Sequence, residues 1–152
     1  MKRIFVGMSG GYGPLAQALP IAKILKEEKG YEIFSYIRGS SQEVLRVHGY
    51  NILNLPKRSL PENTIKPGRE WWNMGYLFCR HGYLDYDYVS CMVKDYILQF
   101  KAEKISLVIS VLNPFVTIAA KVLDIPLVAI TQSCYHPRKI YSSIRWWDTL
   151  PE

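Results

Sequence analysis

The stretch VGMSGGYGPLAQALPIAKIL, residues 6–25, sets glycines at 7, 10, 11 and 13 between an apolar run and a helical pattern. Such a loop lets a ligand approach the backbone, and two chemistries follow from it. The first is phosphate binding. Gly11-Tyr12-Gly13-Pro14-Leu15-Ala16 fits G-x-G-x-x-G/A, in which a helix N-terminus faces a pyrophosphate. The fit begins four residues after Gly7, and Pro14 removes one N–H that would point at phosphate. No acidic residue closes the second apolar run to hold a ribose hydroxyl. Arg38, Ser40 and Ser41 stand there and suit a 2′-phosphate, so the cofactor of this reading is NADP. A P-loop is excluded, because no Gly-Lys-Ser/Thr follows.

The second chemistry is proton transfer at a bound hydroxyl, which needs a base within hydrogen-bond reach. His81 lies in an aromatic stretch and is a candidate base, with an ordinary loop histidine as the alternative. His136 follows the fifth apolar run on the side where a ligand would lie, whereas His48 sits in a helix's last turn, where a cation suits the macrodipole. Asp85 and Asp87 read as helix caps before they read as bases. Trp71, Trp72, Tyr76, Phe78 and Tyr83 offer flat apolar faces for sugars, lipids or planar compounds, and serve equally well as core.

The elements that would position these residues alternate. RIFVGM is an apolar run stopped by glycine, as in a buried parallel strand. Leu15, Ala18, Leu19, Ala22 and Leu25 make one helical face over 14–29, with Pro20 expected to bend it and Gly30 to close it. YEIFSYI is the second strand. SSQE fits a capping box with Ser40 as N-cap and Glu43 at N3, and that short helix ends at Gly49. YNILNL is the third strand. Residues 56–84 lose periodicity. Val89, Met92, Val93, Tyr96, Ile97 and Phe100 then form a helical stripe over 87–103. ISLVISVL is the fourth strand, Asn113 and Pro114 are N-cap and N1 of the helix PFVTIAAKVL, and PLVAIT is the fifth strand. The expected fold is α/β: a Rossmann-like, doubly wound parallel sheet of about five strands in the order 3-2-1-4-5, with helices on both faces. Its switch point lies between strands one and four, so residues 8–13 and 111–113 should meet at the functional crevice.

In order and spacing the whole chain resembles the N-terminal domain of GT-B glycosyltransferases of the family 28 and UDP-glycosyltransferase-like type. Leu19-Pro20-Ile21-Ala22-Lys23-Ile24-Leu25 is similar to that family's helix core, and Gly30-Tyr31-Glu32-Ile33 to the start of its second strand. SSQEVLRVHGYNILNLP resembles the next segment, and LVISVLNPFVTIAAKVLDIPLVAITQS the later one built on V-I-S-D-x-x-P. The resemblance implies an acceptor-holding domain, 1–152, acting with a separate C-terminal domain that holds the nucleotide sugar and is absent from this sequence. It implies a small-molecule or lipid-linked acceptor, a donor-binding domain on a second chain or a missing C-terminal part, and no cofactor. The crevice loops and the resemblance together nominate Gly10, Gly11, Tyr12, Gly13, Trp71, Trp72, Tyr76, Asn113 and His136 as acceptor contacts. The family's usual base, a histidine after the glycine loop, is Pro14 here, and the aspartate that orients it is Val111. Neither can move a proton, so transfer by the isolated chain is not expected, and a non-catalytic relic is an alternative.

Composition bounds the rest. The net charge of +6 is spread over 152 residues without long basic runs, which argues for solvated surface and against a nucleic-acid face. Cys79, Cys91 and Cys134 are odd in number and lack metal spacing, as free thiols in a reducing cytoplasm would. No metal site is expected. No segment reaches the ~20 apolar residues of a membrane span, and the N-terminal apolar run is too short for a signal sequence. A homo-oligomer is compatible with these readings. Trp146 and Trp147 are expected on an edge that a partner domain would cover.

Overall fold

The central apolar runs become strands here because helices bury both faces of the sheet around them, whereas the edge strand at 127–130 stays largely exposed. The computed structural model describes residues 2–9, 12–37, 39, 41–61 and 81–130. Along the chain they form β1 (Arg3–Met8), α1 (Tyr12–Glu27), β2 (Glu32–Tyr36), α2 (Ser41–Val47), β3 (Asn51–Ile52), α3 (Tyr86–Ala102), β4 (Leu107–Val111), α4 (Pro114–Val122) and β5 (Leu127–Ile130). The five strands make one sheet in the order β3-β2-β1-β4-β5, every pair parallel. This is the Rossmann-like, doubly wound α/β fold and the strand order expected.

The contacts form two compact units. One comprises Met1–Pro56 and Met92–Ile130 and holds the sheet; the other comprises Lys57–Cys91 and Thr131–Glu152. In the first unit, Ile4, Val6 and Met8 of β1 pack with Leu15, Ala18 and Ala22 of α1 and Leu45 of α2. Phe5, on the opposite face, meets Tyr96 edge-on and Phe100 of α3 at 4.9 Å between ring centres. The N-terminal edge of the sheet is tied by Arg3, whose Nε bonds Glu32 at 2.9 Å and whose Nη1 donates to the Glu103 carbonyl at 3.0 Å.

Several boundaries differ from the sequence reading. α1 starts at Tyr12 rather than Pro14, because the first N–H groups of a helix have no intrahelical acceptor and a proline costs nothing there. It runs on through Pro20, which has no N–H for the Ala16 carbonyl and whose ring crowds that carbonyl. β3 is two residues, because only Asn51 and Ile52 pair with β2. The N-cap proposed at Ser40 lies outside the described residues; Glu43 is in the first turn of α2 and faces Arg46 at 3.5 Å.

α2, α3 and α4 close alike, with a left-handed residue after the helix. Gly49, Lys104 and Asp124 take φ of 66°, 49° and 54°. In each, that residue's N–H bonds the carbonyl three back, and the next N–H the carbonyl five back: Gly49 to Arg46 and Tyr50 to Leu45, Lys104 to Lys101 and Ile105 to Phe100, Asp124 to Lys121 and Ile125 to Ala120. Only the first of the three is glycine.

Candidate functional site

In an open parallel sheet the crevice lies beyond the carboxyl ends of the strands where the connections diverge. Here that point is between β1 and β4, which pair up to Met8 and Val111. The loops leaving them meet. Ser9 N–H donates to the Val111 carbonyl at 3.1 Å, and Asn113 Nδ2 donates to the Met8 carbonyl at 3.1 Å.

Asn113 is where its type predicts. It caps α4, accepting from Val116 N–H at 3.3 Å, with Pro114 at N1. Its side chain is buried and both of its polar atoms are used inside the protein. Asn113 therefore joins β1 to α4. Below it, Ser110 Oγ donates to the Asn113 carbonyl at 3.0 Å, and Thr117 Oγ1 lies 3.0 Å from Ser110 Oγ and 3.1 Å from the same carbonyl. Ser110 and Thr117 were not singled out from sequence. The signal available was a pair of small hydroxyl residues seven apart, which spacing alone does not distinguish from ordinary core.

Between Val111 and Asn113 stands Leu112, half-buried, with φ of 52°. Val111 is fully buried and packs in the core beneath α1 with Leu15 and Ile109. Pro14 is the third residue of α1, half-buried. The two positions where the resemblance implies a proton relay are thus a helical imino acid and a core valine.

Close packing sets the height of α4 over the sheet. A methyl group at Gly7 of β1 would lie 2.7 Å from the Phe5 ring and 2.9 Å from Val116, so glycine is what lets the helix approach. Gly13 has open space around it, with nothing within 4 Å of an added methyl. Tyr12 opens α1. Gly10, Gly11, Trp71, Trp72, Tyr76 and His136 lie outside the described residues, as do Trp146 and Trp147.

His81 belongs to the second unit, in a turn before α3, with its ring centre 6.2 Å from that of Tyr83. Asp85 is the N-cap of α3: its Oδ1 accepts from Tyr88 N–H at 2.8 Å. Asp87 lies in the first turn. Among the described residues no group of three or more His, Cys, Asp or Glu could hold a metal ion, and no helix is long and apolar enough to cross a membrane.

No protein-family model matches the sequence, and no curated protein matches it. Solved structures do. The glycotransferase of kitacinnamycin superposes with a TM-score of 0.66 at 14% identity, over 95% of this chain and 34% of its own. MurG of Acinetobacter baumannii superposes with a TM-score of 0.63 at 16% identity, over 95% of this chain and 39% of its own. The fold is that of a GT-B glycosyltransferase domain, and the chain spans little more than a third of the length of these enzymes. The C-terminal domain of a Pyrococcus furiosus hydrogenase also superposes, with a TM-score of 0.51 at 14% identity over 85% of this chain and 91% of its own. At such identities the likeness concerns fold, and function has to be argued from the site.

Proposed function

We propose that this chain, as one domain over 1–152, is the acceptor-binding half of a glycosyltransferase, and that it takes part in sugar transfer only with a donor-binding domain supplied by a second chain or a further part of the polypeptide. The observation that carries this reading is the junction of the β1 and β4 loops at the switch point, on a fold shared with glycosyltransferases. The acceptor is a small or lipid-linked hydroxyl compound. Gly13 gives it open backbone to approach, and Gly10, Gly11, Tyr12, Trp71, Trp72, Tyr76 and His136 are its further proposed contacts. Asn113 enters as the residue that holds the two loops together. The donor domain is part of the resemblance; with Pro14 and Val111 at the relay positions, neither residue can take the acceptor's proton, and a base has to come from elsewhere.

The dinucleotide alternative draws less support. Ser9 N–H is spent on the Val111 carbonyl and Pro14 has none, so neither of these two is available to a pyrophosphate. The relic reading is separable by experiment. The chain would be fused to the donor-binding domain of a GT-B enzyme, and transfer from UDP-glucose to 4-methylumbelliferone measured with and without Pro14→His and Val111→Asp together. A restored base should raise transfer by about 100-fold or more. Binding of the acceptor with no gain in transfer would leave the chain a binding module that has lost its chemistry.

A further inference from the structure

Among the described residues, three other than glycine have left-handed backbone: Lys104, Leu112 and Asp124. Lys104 and Asp124 each end a helix, and two hydrogen bonds across each turn account for the conformation. Leu112 ends none. It is branched and apolar, a poor residue for this region, and it stands at the carboxyl end of β4. Its neighbours hold it there. Val111 offers its carbonyl to Ser9, the Asn113 side chain spans from Met8 to Val116, and Ser110 Oγ reaches over Leu112 to the Asn113 carbonyl with Thr117 beside it. The result is a backbone state that costs energy, fixed by several buried bonds where the β1 and β4 loops meet.

We propose that Leu112 is a specificity-determining contact for the acceptor, and that Ser110, Asn113 and Thr117 are positioning residues that hold it at the crevice. An uncharged, branched side chain there selects acceptors with an apolar face over polyols. This rests on the acceptor-crevice reading above.

The test compares Leu112→Ala, Leu112→Gly and Thr117→Val with the native chain, using 4-methylumbelliferone fluorescence titration, glycerol as the competing polyol, and thermal melts. Both Leu112 variants remove the side chain, and only glycine removes the strain. Leu112→Gly should therefore melt about 2–4 °C above Leu112→Ala. Both should bind the aryl alcohol about tenfold more weakly. Thr117→Val, close to isosteric, should keep the fold by circular dichroism and weaken binding severalfold. Native-like affinity in both Leu112 variants would overturn the specificity role. A glycine variant melting below the alanine one would overturn the positioning role. A native chain that does not bind the aryl alcohol defeats the acceptor reading itself, and with it this inference.

Discussion

At the scale of single residues, the crevice depends on groups that serve structure. Asn113 was legible as a cap from the pair Asn113-Pro114, because an amide oxygen ahead of a proline at N1 satisfies an orphan donor. That its other atom ties down β1 was not legible, since the Met8 carbonyl is 105 residues away in sequence. Leu112 was not legible at all. Nothing in a leucine announces a left-handed turn, and the bonds that impose it come from Ser110, Thr117 and Asn113 only once α4 is docked. Tyr50 offers a residue-level prediction. It is buried beneath Lys26, whose Nζ lies 5.4 Å from the ring centre and donates to the His48 and Gly49 carbonyls. Burial, and then the nearby Glu27 charge, pushes its hydroxyl above the ordinary value of 10.0. The folded chain holds this proton more tightly than the unfolded chain does. The resulting stability is complete below the ordinary value and is lost as pH rises through the folded one. Thermal melts from about pH 9 to about pH 11 should fall more steeply for the native chain than for Tyr50→Phe. Parallel curves would show that the environment of Tyr50 is not what raises it.

At the scale of elements, strands and helices followed from periodicity, and the crossover rule supplied the order β3-β2-β1-β4-β5. The departures concern lengths that local pattern leaves open, and each has its own cause. β3 is short because β2 offers it only Phe34 and Ser35 as partners. α1 is longer at its start because Tyr12 and Gly13 fall within its first turn, where no donor needs an intrahelical acceptor. Gly7 lies within β1, as the run RIFVGM implied, and its service to the packing of α4 was not legible. Gly7→Ala would drive a methyl into the Phe5 ring and Val116, at 2.7 Å and 2.9 Å. Overpacking of this kind should cost about 1–3 kcal/mol in urea unfolding. An unchanged midpoint would mean that α4 is not held at the distance seen. Because Asn113 caps α4, the same substitution is expected to disturb the junction of the two crevice loops.

At the scale of the whole molecule, the chain carries a fold found in glycosyltransferases and covers little more than a third of their length. Sequence order revealed this fold because the apolar strands and the glycine-rich first turn recur in the same succession. It could not reveal the acceptor, since the aromatic stretch around Trp71 and Trp72 has no period that distinguishes a pocket from core. The proposed division of labour gives acceptor binding to this chain and the nucleotide sugar to another domain. Calorimetric titration of the isolated chain with UDP-glucose tests it most directly. The account predicts no binding tighter than about 1 mM, and micromolar affinity for the nucleotide sugar would contradict it.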